Sequence, residues 1–327
     1  MRLFRGFRAP GLAPACALTI GNFDGVHRGH QAMLALLTNE ARHRGLPSCV
    51  LSFEPHPRDY FAHAAGQPER APARIATLRD KLAELERCGI DQAVILRFDA
   101  RLASLDAEAF VEQVLVQGLG ARYVLVGDDF RYGARRAGDY ARLDAAGSRL
   151  GFDVARMQSY EVHGLRVSSS AVREALAAGR MDEARALLGR PYALSGHVVH
   201  GRKLGRTLGF PTLNLRFPYR RCAADGIFVV QVHGLAPQPL RGVASLGVRP
   251  TVEDAGRLLL ETTCFDWPAE LGSDGAYGRC VRVELLHRLH AERRYDSIEA
   301  LRAGIEQDRR DALAWWAGAD GARGAAS

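Results

Sequence analysis

The sequence predicts an α/β chain in two parts, a parallel sheet with flanking helices followed by a small antiparallel barrel closed by a helix. Three observations predict it. Short apolar runs alternate with helical patterns through the first half, which is the signature of βαβ units. The pattern breaks at Gly189-Arg-Pro-Tyr192, beyond which short strand-like runs are punctuated by Gly and Pro. A final amphipathic stretch then opens at Ser297, a residue suited to capping a helix. At 327 residues the chain is long enough for two domains, each with its own core.

In order, the expected strands of the first part are residues 17–23, 49–53, 92–98, 123–126 and 154–158, with helices over 31–44, 75–87 and 107–117 between them. Residues 168–176 and 181–188 read as a helix pair that ends the first domain, giving domains of 1–187 and 188–327. The second domain shows strands at 193–200, 226–232, 240–246, 258–265 and 280–289, spaced as in a small barrel. In the last helix Leu301, Ile305, Leu313 and Trp316 are expected near one face, with a frayed Gly/Ala-rich tail after Ala317.

Composition narrows the function classes. Nearly half the residues are apolar (47%) and a quarter charged (25%), a globular profile. The net charge is +7 and the pI about 9.3, which suits anionic partners, either nucleotides or nucleic acid, or is simply a solvated basic surface. The six cysteines are scattered with no Cys-x-x-Cys pair, which argues against zinc and for a reducing cytoplasm. No run is long enough to span a membrane, and the N-terminus lacks the apolar core of a signal peptide.

Parallel sheets place their sites at the carboxyl ends of strands. At the end of the first strand stands Thr19-Ile-Gly-Asn-Phe-Asp-Gly-Val-His-Arg-Gly-His30. Gly21 and Gly25 permit close backbone approach, Asn22 and Asp24 add polar groups, and His27 and His30 fall at a helix start. Helix amides, dipole and imidazoles together suit a triphosphate. Phe53-Glu-Pro-His-Pro57 follows the next strand as a stiff loop, either a site loop or a rigid turn with an exposed His56. Val126-Gly-Asp-Asp-Phe-Arg-Tyr-Gly133 offers ring, guanidinium and carboxylates for a flat polar ring system, or is a polar loop with a packed Phe130. Val167-Ser-Ser-Ser-Ala-Val-Arg173 puts hydroxyls and an arginine at a helix start, where they can grip phosphate oxygens or serve as an ordinary cap.

The second part carries Gly201-Arg-Lys-Leu-Gly-Arg-Thr-Leu-Gly-Phe-Pro-Thr-Leu-Asn214, with glycines at 201, 205 and 209 amid Lys203 and Arg206. It is too polar for helix packing, so it reads as a glycine-rich phosphate loop or as a basic hairpin loop. Thr212 and Asn214 end it with two neutral oxygens suited to Mg²⁺ beside a nucleotide. Glu261 interrupts an apolar strand, as a general base or as a solvent-facing glutamate.

Taken in this order, the His-x-Gly-His turn, the Gly-Asp-Asp-Phe-Arg-Tyr-Gly loop, the Ser-Ser-Ser-Ala-Val-Arg helix start and Gly-Phe-Pro-Thr-Leu-Asn closely resemble the bifunctional bacterial riboflavin kinase/FAD synthetases. The resemblance runs from about Thr19 to the final helix. It implies a Rossmann-like nucleotidyltransferase domain and a small β-barrel riboflavin kinase domain, using ATP and Mg²⁺ to convert riboflavin to FMN and FMN to FAD. It implies that Gly21, Asn22, Phe23, Asp24, Gly25, His27, His30, Ser168, Ser169 and Arg173 serve ATP in the first site, and that flavin lies near His56, Phe61, Asp129 and Phe130. In the second site it implies ATP on the loop with Gly201, Lys203, Arg206 and Gly209, Mg²⁺ on Thr212 and Asn214, and Glu261 as the base. Riboflavin, FMN, FAD, ATP and ADP are then the ligands, with neither nucleic acid nor membrane as a partner.

Three positions depart from the family pattern. Leu213 replaces the usual Ala of Pro-Thr-Ala-Asn, Leu271 is split from Tyr277-Gly278, and His290 stands where Arg is common. Two rivals meet contrary features. A nucleotidyltransferase for another acceptor leaves the second module unused, and an RNA binder would interleave aromatic with basic residues, which this chain does not.

Overall fold

The computed structural model describes residues 1–7, 9–158, 160–162, 165–201, 212–219, 221–248, 256, 258–272 and 274–324. Lys203, Arg206 and Gly209 of the basic loop lie outside these residues. The described chain divides into two compact units, Met1–Pro72 with Lys81–Ser168, and Ala73–Asp80 with Ser169–Ser327.

In the first unit the chain forms β1 (Arg2–Arg5), β2 (Cys16–Ile20), α1 (Arg28–His43), β3 (Ser48–Glu54), α2 (Pro57–Ala64), α3 (Leu78–Arg87, which begins in the other unit), β4 (Gln92–Arg97) and α4 (Ala100–Ser104). It continues through α5 (Ala107–Ala109), which runs into π-helical Phe110–Val116, then β5 (Ala121–Gly127), α6 (Tyr140–Leu150), β6 (Asp153–Met157) and the short pair β7 (Glu161–Val162) and β8 (Leu165–Arg166). Six strands make one parallel sheet in the order β1-β4-β3-β2-β5-β6. Strand β2 is buried along its whole length, as a central strand of a sheet covered on both faces must be. Its alternate residues feed two cores. Cys16, Leu18 and Ile20 pack with Phe110, Val114, Leu115 and Leu143, while Ala17 packs with Leu34, Leu37 and Leu85.

Several elements escape the expected pattern, among them α2, α4 and the β7–β8 pair, and two are instructive. β1 adds an edge strand that four residues, two of them arginine, do not announce. α6 forms from an Arg/Ala-rich stretch, started by Asp139, whose carboxylate accepts from the Arg142 amide at 3.0 Å.

The second unit begins with α7 (Ser169–Ala177) and α8 (Met181–Leu188). Then follow β9 (Tyr192–Val199), β10 (Leu213–Arg216), β11 (Gly226–His233), β12 (Leu240–Val248), β13 (Leu258–Cys264), β14 (Cys280–His290) and α9 (Ile298–Gly324). The six strands close an antiparallel barrel in the order β10-β13-β12-β11-β14-β9. β10 is the strand missing from the expected five; it begins where the basic loop ends and joins β9 to β13. α9 covers the barrel through Ala312 and Trp316, which pack on Val229 and Val243. Leu313, expected on that face, is exposed instead, and the helix continues to Gly324 rather than fraying after Ala317. The packed stripe is Asp308, Ala312 and Trp316, one residue every four, so Leu313 falls one step round the helix.

Candidate functional site

In the first unit the sheet order leaves β2 between β3 and β5, with later strands added outward on both sides. That is a topological switch point, and the loops after β2 and β5 open into it. The turn after β2 is tightly constrained. Phe23 (φ 49°), Gly25 (φ 83°) and Val26 (φ 39°) all take left-handed backbone. Glycine adopts it readily, whereas Phe23 and β-branched Val26 are strained there by about 1–3 kcal/mol each. Both side chains are fully buried against Leu34, Leu37 and Val50, so core packing holds the strain in place.

The turn delivers His27 as the N-cap of α1. Its Nδ1 accepts from the His30 amide at 3.3 Å, and the two rings stack with centroids 3.7 Å apart. The Phe23 ring lies 5.0 Å from that of His30. Burial, then His27, then Lys81 hold the His30 pKa well below 6.5, so the imidazole is neutral at pH 7. Asn22 Oδ1 and His30 Nδ1 are buried and make no hydrogen bond among the described residues. Such atoms are almost always satisfied in native proteins, so two in one turn mark a place for a ligand. They sit at a helix N-terminus, which favours an anion.

Neighbouring segments converge here. A methyl group placed on Gly29 would come 3.4 Å from the Val167 carbonyl oxygen, which puts Ser168 beside the turn. A methyl on Gly127, at the end of β5, would meet Asp129 Oδ1 at 3.5 Å and Met33 of α1 at 3.6 Å. Asp129 is exposed, while Phe130 is half-buried and stacks on Tyr132 at 5.5 Å. His56 and Phe61 stand at the other side of β2, after β3. His56 is buried rather than exposed, because its Nδ1 accepts from the Arg58 amide at 3.1 Å and caps α2. Phe61 is 53% exposed and belongs to a ring cluster, 5.4 Å from Tyr60 and 5.7 Å from Phe98. Ser169 and Arg173 fall in the second unit, where Arg173 Nε donates to the Ala73 carbonyl at 2.7 Å.

In the second unit, the register sets Asn214 opposite Glu261 and Glu261 opposite Ser245, a polar row across three strands. Directly paired residues point to the same face of a sheet, so the amide and the carboxylate share one side. Asn214 is buried, and its Nδ2 lies 3.4 Å from Thr212 Oγ1. Gly201 closes on it, since a methyl there would fall 2.5 Å from Asn214 Nδ2. The split motif still reaches this place: Tyr277 packs its ring 3.8 Å from that of His200, and Gly278 pairs with Val198.

Three features were missed from sequence. Lys81 is buried in α3, Ser52 lies under the turn, and Glu292 accepts from Ser245 Oγ at 2.8 Å at the end of the polar row. Lys81 had a legible signal, because it interrupts the apolar stripe Leu78, Leu82, Leu85 of its helix.

Among the described residues, the turn gathers imidazoles and an amide oxygen at a helix N-terminus, and the barrel row gathers an amide, hydroxyls and a carboxylate, side chains that suit the phosphates of a nucleotide-dependent transferase with two modules. Comparison with known proteins agrees. The FAD synthetase family matches residues 10–171 and the riboflavin kinase family residues 188–316. The bifunctional riboflavin kinase/FMN adenylyltransferase of Escherichia coli (strain K12) is 45% identical over 94% of this chain and 96% of its own. That of Haemophilus influenzae is 41% identical over 97% of this chain and 99% of its own. A solved structure titled a macrolide-efflux protein from Streptococcus pneumoniae superposes with TM-score 0.73 at 28% identity, covering 94% of this chain and 96% of that one. The chain belongs to the bifunctional riboflavin kinase/FAD synthetase family, and it is a transferase with kinase and adenylyltransferase activities.

Proposed function

We propose that the two activities divide between the two sites, with the turn Gly21–His30 serving FMN adenylylation and the row Thr212, Asn214, Glu261 serving riboflavin phosphorylation. The observation that carries the first assignment is the pair of buried, unsatisfied atoms Asn22 Oδ1 and His30 Nδ1 at a helix N-terminus. ATP phosphates lie along the amides of Gly21–Gly25, with His27, His30 and Ser168 as donors. Ser169 and Arg173 keep the phosphate-gripping role the family resemblance implies, hydroxyl and guanidinium being the right chemistry for it. An FMN phosphate oxygen attacks the α-phosphorus of ATP, the α–β bridge bond breaks, and pyrophosphate leaves. The protein contributes alignment and fixed dipoles, not a covalent intermediate. The flavin ring takes the aromatic group around Phe61, with Asp129 and Phe130 at the β5 side.

In the barrel, Glu261 accepts the proton of the ribityl hydroxyl as that oxygen attacks the γ-phosphorus, and ADP departs. The basic loop with Gly201, Lys203, Arg206 and Gly209 binds the ATP phosphates. Thr212 Oγ1 and Asn214 Oδ1 fit Mg²⁺, which takes few protein ligands, all oxygen, and keeps phosphate and water as the rest. When bound, the ion neutralises charge on the transferring phosphate.

The functional boundary is proposed at 187/188, a reading supported by the second family match starting at residue 188. A cytoplasmic location fits six cysteines that form no disulfide. No helix among the described residues is long and apolar enough to cross a membrane.

ATP labelled at the α- or the γ-phosphorus tests the division in two variants. With riboflavin, His30→Ala should put the γ-label into FMN and no α-label into FAD, whereas Glu261→Ala should put no γ-label into FMN yet carry the α-label into FAD from supplied FMN. The reverse pattern, or loss of both transfers in either folded variant, contradicts the assignment.

A further inference from the structure

We propose that Lys81 is a positioning residue for adenylyl transfer: its buried ammonium braces the phosphate turn through Ser52 and sets a fixed positive charge behind His30. The inference rests on the assignment of the Gly21–His30 turn to that reaction. Lys81 is only 1% exposed, on the face of α3 that carries Leu85 into the core. Lysine is almost never fully buried without a purpose that repays its desolvation. Its Nζ donates to Ser52 Oγ at 3.4 Å, and Ser52 Oγ donates to the Asn22 carbonyl at 3.3 Å. The ammonium thus reaches, through one hydroxyl, the backbone of the residue whose side-chain oxygen is left unsatisfied at the ligand position.

The charge has a second effect. Lys81 acts on His30 electrostatically, in the same sense as burial and His27, to keep the imidazole uncharged. Among the described residues, the titratable groups that act on His30 are His27 of the same turn and Lys81 from α3, and Asp24 is buried in the turn as well. A neutral His30 in a turn braced by Lys81 lets the site bind the triphosphate without a mobile proton on the ring. Preorganised charge of this kind acts where negative charge accumulates during transfer.

The test uses the full chain and supplies FMN and ATP-Mg directly. In Lys81→Met the kcat for FAD formation should fall about 10²-fold. The NMR titration midpoint of His30 should rise toward the ordinary 6.5, and the acidic limb of the pH–rate profile should move up with it. Lys81→Arg, which keeps the charge, should hold the His30 midpoint and recover most of the rate. Ser52→Ala cuts the relay but not the charge, so kcat should fall with the acidic limb in place; it also serves if Lys81→Met does not fold. Wild-type rate and an unmoved limb in Lys81→Met overturn the proposal, as does equal impairment of Met and Arg variants with an unchanged His30 midpoint. A Ser52→Ala enzyme with wild-type kcat overturns the bracing role. If His30→Ala itself forms FAD at the wild-type rate, it is the underlying site assignment that fails.

Discussion

Replacing Val26 by glycine should cost less stability than replacing Val50, although both side chains are fully buried in the same cluster. Removing a buried valine side chain costs about 1.5–3 kcal/mol, and the added freedom of glycine costs about 0.5–1 kcal/mol more. At Val50, in strand β3, nothing offsets this, and the expected loss is about 2–4 kcal/mol. At Val26 the native φ is 39°, and releasing a left-handed non-glycine residue returns about 1–2 kcal/mol. The net cost there is about 1–2 kcal/mol. For a unit of this size Val50→Gly should lower Tm by about 9 °C and Val26→Gly by about 4 °C. Adenylylation of supplied FMN should run the other way, since Val26→Gly frees the turn that aligns the phosphates and Val50→Gly does not touch it. Calorimetry and a FAD-formation assay on the two variants decide the matter. Equal Tm losses would show that the turn stores no strain, and full activity in Val26→Gly would show that the strain does not serve alignment.

Four further outcomes follow from named contacts. Because the folded pKa of His30 is depressed, the unfolded chain binds its proton first, so stability of the first unit should be lost as pH falls below about 6.5, and His30→Ala should remove that slope in thermal melts. The acidic limb of FAD formation should correspondingly lie well below 6.5, and a limb at 6.5 would contradict the neutral-imidazole reading. His290→Ala removes the ring whose Nε2 lies 2.7 Å from buried Asp308 Oδ1, and should destabilise the barrel by about 1–3 kcal/mol in denaturant titration. Trp316→Ala empties the contact between α9 and the barrel, beneath Arg241 at 4.6 Å, and should cost about 3–5 kcal/mol with loss of kinase before adenylyltransferase activity.

Much of the fold was legible because the core strands carry their own signal. β2 reads as a buried parallel strand from five consecutive residues, and the change at Gly189-Arg-Pro-Tyr192 announces the barrel. What escaped depends on partners distant in sequence. β1 is a strand only because Phe4 finds β4 and the core beyond it, and β10 reads as a loop end until β9 and β13 flank it. The site was legible where residues cluster along the chain, as in the His27–His30 turn. It was opaque where tertiary structure assembles it: Ser52, Lys81 and Asn22 are three segments joined by side-chain bonds, and Ser245 with Glu292 completes a row whose other members lie on β13 and β10. The burial of His56 is hidden in the sequence because it comes through a helix cap on α2, which a stretch opening with Pro55 and Pro57 conceals.

The division of the two activities between two sites is tested most directly by one pair of variants in a timed product assay. With riboflavin and ATP-Mg, His30→Ala should accumulate FMN and make no FAD. Glu261→Ala should make neither from riboflavin, yet convert supplied FMN to FAD at the wild-type rate. Loss of both activities in either variant while it remains folded would contradict the account.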